Sequence, residues 1–92
     1  MNPQHKREDI LRIAARHGAR NIRLFGSAAR GEDRPGSDLD LLVDMESGRS
    51  LVDLVALSQE LEELLHRRVD VLTDSSVHPA VRPYILADAR PL

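Results

Sequence analysis

The sequence contains no cysteine and no tryptophan, and its only other large aromatic residues are Phe25 and Tyr84. The absence of cysteine excludes disulfides, thiolate metal sites and cysteine nucleophiles. Two aromatic rings are too few to form a platform on which successive bases of a single-stranded nucleic acid stack. Packing alone must therefore stabilise the fold, and we do not expect a single-strand-binding protein.

The sequence also lacks an excess of basic charge and any long apolar run. Its formal net charge is -2. Proteins that bind duplex DNA carry an excess of lysine and arginine that neutralises phosphates, so we expect no direct DNA binding. No stretch approaches the roughly 18 to 20 apolar residues that span a membrane, and no signal peptide is recognisable. We therefore expect a cytoplasmic protein without membrane association.

The chain has 92 residues, which is enough for one hydrophobic core. We expect a single domain spanning residues 1–92, without a separate domain for a second substrate. A reaction between two large substrates would then need surface from a partner molecule.

Helical spacing of apolar residues appears in three segments. It predicts an amphipathic helix from Pro3 to His17, a leucine-rich helix that begins at a capping box formed by Ser50 and Asp53, and a short helix from Pro79 to Ala89. Between them, short apolar runs predict strands at 21–25, 39–44 and 69–72. The order helix, strand, strand, helix, strand, helix predicts an α/β fold with a small mixed sheet flanked by helices.

Two carboxylates stand at the start of the second predicted strand. Asp38 and Asp40 are two residues apart, so their side chains point to the same face, while Leu39, Leu41 and Val43 point to the other. Asp70 lies between valines in the third strand and joins the same surface if the two strands are neighbours. Clustered carboxylates repel unless they are protonated or bind cations, and their oxygen atoms suit Mg²⁺. The alternative is that all three are ordinary solvent-facing residues.

A glycine-serine pair follows the first predicted strand directly. Gly26 permits close approach of the backbone, Ser27 offers a hydroxyl, and residues 28–30 can form a helical turn whose amide groups attract an anion. A tight turn that binds nothing would have the same dipeptide. Arg30 is a candidate phosphate ligand or an ordinary surface ion-pair partner.

These motifs together resemble a known family. The segments 26–31 (GSAARG) and 37–43 (SDLDLLV), followed about thirty residues later by Asp70, resemble the minimal nucleotidyltransferases of the DNA polymerase beta superfamily. The smallest prokaryotic members of that superfamily act as antitoxins beside HEPN-domain toxins. The resemblance covers nearly the whole chain and implies the polymerase beta-type nucleotidyltransferase fold.

The resemblance also implies a reaction. Asp38 and Asp40 would hold two Mg²⁺ ions, and Asp70 would ligate one of them or help deprotonate the acceptor. Gly26 and Ser27, with Arg30 as a further candidate, would bind the phosphates of ATP, the co-substrate. AMP would pass to a tyrosine hydroxyl of a HEPN toxin, which forms a hetero-oligomer with the chain and is thereby neutralised.

Two alternatives remain open at this point. The chain could block the toxin by binding it without catalysis, or it could transfer a nucleotide to a small hydroxylated molecule such as an antibiotic. The second alternative is weakened by the chain length, because larger relatives use an added domain for the small substrate. Tyr84 and Ile85, on the last predicted helix, belong either to a partner-facing surface or to the core.

Overall fold

A four-stranded mixed sheet forms the centre of the computed structural model, which describes residues 6–32 and 38–92. In chain order the elements are α1 (Arg7–Arg16), β1 (Ala19–Phe25), β2 (Leu39–Met45), α2 (Leu51–Leu65), β3 (Val69–Thr73), a 3-10 turn (Asp74–Ser76), α3 (Arg82–Asp88) and β4 (Arg90–Pro91). The strand order across the sheet is β3-β2-β1-β4. β1 is antiparallel to β2 and β4, and β2 is parallel to β3. The predicted α/β class with a small mixed sheet is confirmed.

One face of the sheet carries the hydrophobic core. On β2, Leu39, Leu41 and Val43 are at most 1% exposed, as the alternation of that strand predicted. Ile10 of α1 and Leu57 of α2 are fully buried in the same cluster. The two helices therefore cover this face, which leaves the side chains of the opposite face for other contacts.

The ends of the two long helices follow local sequence signals. Ser50 accepts a hydrogen bond from the Val52 N–H, and the Asp53 carboxylate accepts one from the Ser50 N–H, so the predicted capping box is present. At the end of α1, Gly18 has φ +79, the left-handed backbone that glycine tolerates. The predicted start of this helix at Pro3 lies outside the described residues.

The strands differ from the sequence prediction in length and number. β1 begins two residues earlier than predicted, because Ala19 and Arg20 pair with β2 before a bulge at Asn21, where φ is 52. β2 and β3 are each one residue longer. β4 was not predicted, because its two residues include a proline and show no alternation; it forms by pairing with β1.

The last helix is shorter than the predicted span from Pro79 to Ala89. α3 begins at Arg82, with Pro83 in its first turn, and ends at Asp88. Its first residue pairs with Asp74 after β3, and its last pairs with Arg30 after β1. Because β1 and β3 run in opposite directions, α3 spans from one end of the sheet to the other. Within residues 6–32 and 38–92, no helix is both long and apolar enough to cross a membrane.

Candidate active site

Asp40 and Asp70 lie side by side on neighbouring strands. β2 and β3 pair in parallel with Asp40 opposite Asp70, so the two residues are about 4.8 Å apart across the sheet and share one face. Asp38 comes immediately before β2 and is exposed. The two strands that carry the acids are therefore neighbours, which the sequence alone left open. All three carboxylates lie at the same edge of the sheet.

The electrostatic state of Asp40 reflects this crowding. Partial burial raises the pKa of Asp40, and the neighbouring charges of Asp70 and Asp38 raise it further, while Arg67 opposes the shift. The ionised form of Asp40 is therefore destabilised by its surroundings. A cation that approaches Asp40 would stabilise this ionised form.

Two arginines of the segment between α2 and β3 lie beside these acids. Arg68 Nε is 3.8 Å from Asp70 Oδ1, and the charge of Arg67 acts on Asp40. From the sequence, their position after α2 favours an interaction with the helix dipole, with a partner or phosphate contact as the lesser alternative. The signal for their place beside the acids is their position two and three residues before Asp70, at the end of the strand where the acids gather.

The turn after β1 comes into direct contact with Asp40. Gly26 has φ +70, and a Cβ atom built on it would stand 2.6 Å from Asp40 Oδ2, well inside van der Waals contact. A side chain at position 26 would therefore have to displace the Asp40 carboxylate. Gly26 and Asp40, fourteen positions apart in sequence, are therefore parts of one site.

Residues 26–31 form a series of hydrogen-bonded turns, where the sequence predicted the first turn of a short helix. The bonds run from the N–H groups of Arg30, Gly31 and Glu32 to carbonyls at the start of the segment. Among the described residues, the N–H groups at 27–29 have no backbone acceptor. Three successive amides of this kind suit an anion. Residues 33–37, which follow this segment, lie outside the described residues.

Arg30 is engaged elsewhere in this structure. Its Nη1 is 2.7 Å from Asp88 Oδ2, and its Nε is 3.4 Å from Glu32 Oε1. The hydrogen bond to Asp88 raises the pKa of Arg30 further. The guanidinium thus links the turn to α3, and its role as a phosphate ligand stays a prediction.

The donor chemistry of the site fits a hard divalent cation. Asp38, Asp40 and Asp70 offer only oxygen ligands, and the ionised form of Asp40 is disfavoured by partial burial and by the neighbouring carboxylates, which a cation would offset. Within the described parts of the chain, no three acidic or histidine side chains already converge on a common point. Ion binding would therefore require the carboxylates to rotate toward one another.

We predict that Asp40→Asn raises the Tm by a few degrees in EDTA at neutral pH. Because folding raises the pKa of Asp40, ionised Asp40 destabilises the folded state at pH values above its pKa. This destabilisation is lost as the pH falls and the carboxyl becomes protonated. The gain in Tm of Asp40→Asn should therefore shrink as the pH falls toward about 4. Asp44→Asn is the matched control on the same face of β2, since Asp44 accepts hydrogen bonds from Asn21 and Arg23 and should bring no gain. A Tm for Asp40→Asn at or below that of the unsubstituted chain would contradict the prediction.

Comparison with known proteins agrees with the geometry of the site. A model of the nucleotidyltransferase domain family matches residues 7–92. A protein of Methanocaldococcus jannaschii, provisionally named a protein adenylyltransferase, is 45% identical over 89 residues, which are 97% of this chain and 96% of that protein. The protein adenylyltransferase MntA of Thermococcus cleftensis is 39% identical over 84 residues, 91% of this chain and 81% of MntA.

Solved structures share the fold. One provisionally described as a minimal nucleotidyltransferase has a TM-score of 0.86 at 48% identity and covers 97% of this chain and 91% of that one. A chain from the complex of a tri-AMPylated Shewanella oneidensis HEPN toxin with an MNT antitoxin has a TM-score of 0.73 at 19% identity, covering 96% and 69%. The acidic edge and glycine turn thus lie on a minimal nucleotidyltransferase fold, and the chain belongs to the nucleotidyltransferase domain family.

Proposed function

We propose that this chain transfers AMP from ATP to a tyrosine hydroxyl of a HEPN-domain partner and thereby acts as an antitoxin. The observation that carries the proposal is the position of Asp40, which stands beside Asp70 on one side and against Gly26 on the other. This arrangement brings the carboxylates and a turn suited to binding phosphate into one site. Phosphoryl transfer requires these two elements and little further chemistry from the protein.

The turn at residues 26–31 would bind the outer phosphates of ATP. Its amide groups at 27–29 have no backbone acceptor within the described chain, and Ser27 adds a hydroxyl. Because Gly26 lies against Asp40, phosphates held on this turn would be next to the carboxylates. The α-phosphate would then face the acidic edge, where the acceptor approaches.

Asp38, Asp40 and Asp70 would hold Mg²⁺ ions, which would neutralise charge on the phosphates and lower the pKa of the acceptor hydroxyl. The acceptor oxygen forms a bond to the α-phosphorus, the bond from that phosphorus to the bridging oxygen breaks, and pyrophosphate leaves. Asp70 is 45% exposed at its side chain and lies at the edge where the hydroxyl proton is lost.

A protein acceptor suits the openness of the site. Asp38 is exposed. Within residues 6–32 and 38–92, no second domain covers the edge that carries the carboxylates. The relatives named as protein adenylyltransferases and the fold shared with an MNT antitoxin in a HEPN complex support the partner class. The acceptor half of the reaction would come from that partner.

The transfer itself is tested with the purified chain, ATP, Mg²⁺ and a purified HEPN-domain protein as the acceptor. Intact-mass measurement should show the partner gaining AMP. Asp40→Asn should lower the rate by about a thousandfold or more, because several kcal/mol of charge stabilisation are lost and each 1.4 kcal/mol is tenfold. Asp44→Asn, on the same strand and face, should keep most of the activity.

Other outcomes identify the alternatives. Tight complex formation with no gain in mass would contradict the catalytic proposal and favour neutralisation by binding. A mass gain on a hydroxylated antibiotic and none on the protein would favour a small-molecule acceptor.

The contact between Gly26 and Asp40 gives a second prediction. Gly26→Ala and Gly31→Ala both place a side chain at a positive φ, +70 and +74, and each should lose about 1 kcal/mol of stability. A Cβ at Gly31 meets nothing within 4 Å, whereas one at Gly26 displaces the Asp40 carboxylate. Transfer should fall at least tenfold more in Gly26→Ala, measured as the initial rate of AMP incorporation. Equal losses of activity in both variants would show that the contact does not matter.

A further inference from the structure

Tyr84 is exposed in a way that packing does not explain. It is the single tyrosine of the sequence, and 76% of its surface is accessible. Tyrosine usually buries its ring and keeps only the hydroxyl near water. Within the described chain the Tyr84 hydroxyl has no hydrogen-bond partner, so the oxygen is available to another molecule.

Ion pairs hold the helix that carries Tyr84 at both ends. At the start of α3, Arg82 donates two hydrogen bonds to Asp74, at 3.1 and 2.8 Å. At its end, Asp88 accepts a hydrogen bond from Arg30 at 2.7 Å. Tyr84 lies between these two anchors. Its neighbour Ile85 is half-buried, whereas Tyr84 points into solvent.

This attachment leaves the Tyr84 hydroxyl accessible to another molecule. The anchors at Asp74 and Arg30 fix α3 along the sheet, and the exposure of the tyrosine shows that the ring does not pack on that sheet. The hydroxyl is therefore open to the transfer site of a second molecule.

The surroundings of Tyr84 suit contact with another protein. Val81, one helical turn earlier, is 47% exposed, and Leu86 is 40% exposed. Val81 and Tyr84, three residues apart, form a small apolar patch with one hydroxyl, whereas Leu86 lies on another side of the helix. The acidic edge of another copy is itself open, since Asp38 is exposed and Asp70 is partly exposed.

We propose that Tyr84 is a modification site, adenylylated in trans by a second copy of the same chain. This inference rests on the proposed function, because it assigns a further acceptor to the same transfer site. The Tyr84 Oη forms a bond to the α-phosphorus of ATP held by the other copy, the bond to the bridging oxygen breaks, and pyrophosphate leaves. The phenolic proton passes to a carboxylate of that site and then to water.

The test separates acceptor and enzyme by mixing two variants. Tyr84→Phe keeps the transfer site and lacks the acceptor oxygen, and Asp40→Asn keeps Tyr84 and lacks the transfer activity. With ATP and Mg²⁺, intact-mass measurement of the mixture should show AMP on the Asp40→Asn chain and none on the Tyr84→Phe chain, and peptide mapping should place it on Tyr84. The HEPN partner, added in a parallel sample with Tyr84→Phe, reports whether that enzyme is active.

Each remaining outcome contradicts a defined part of the account. If Tyr84→Phe labels the HEPN partner but not the Asp40→Asn chain, the inference is wrong and the proposed function stands. If the unsubstituted chain is labelled alone while the Asp40→Asn chain in the mixture is not, transfer occurs within one molecule and the trans route is wrong. If neither the partner nor any chain gains AMP, the proposed function fails and the inference fails with it.

Discussion

The parallel pairing of β2 with β3 is the interaction on which the site depends. It places Asp40 opposite Asp70, and it does so because the apolar residues on the other face of both strands share one core. A shift of one residue in either strand would turn its acid into that core, at the cost of burying a charge. Burial of the apolar side chains on one face therefore holds Asp40 and Asp70 close together on the other face. The two acids alone would repel each other.

Groups from two other parts of the chain surround the crowded acids. Arg67 and Arg68 precede β3 and offset part of the negative charge at Asp40 and Asp70. The turn at Gly26 approaches from β1 so closely that a Cβ there would displace the Asp40 carboxylate. The fold thus places the acids and a turn of the anion-binding type at one edge of the sheet. The repulsion among the acids lowers stability, and a bound cation would relieve it. Such local costs are typical of functional sites.

Most of this arrangement was predictable from the sequence because it follows from local patterns. Alternation in residues 39–43 assigned Asp40 to one face and Leu39, Leu41 and Val43 to the other, and the capping box marked the start of α2 correctly. Features that depend on distant pairing were not predictable. β4 exists only beside β1, and Arg30 meets Asp88 across 58 positions of sequence. The contact between Gly26 and Asp40 also needed the antiparallel pairing of β1 with β2, which the pattern of either strand does not specify.

The most direct test of the central claim, that the glycine turn and the acidic edge form one nucleotide site, is an NMR titration of amide signals with a non-hydrolysable ATP analogue and Mg²⁺. The account predicts the largest shifts at the amides of Ser27, Ala28 and Ala29, together with Asp40 and Asp70. Shifts confined to another surface, with these five amides unchanged at saturation, would contradict it.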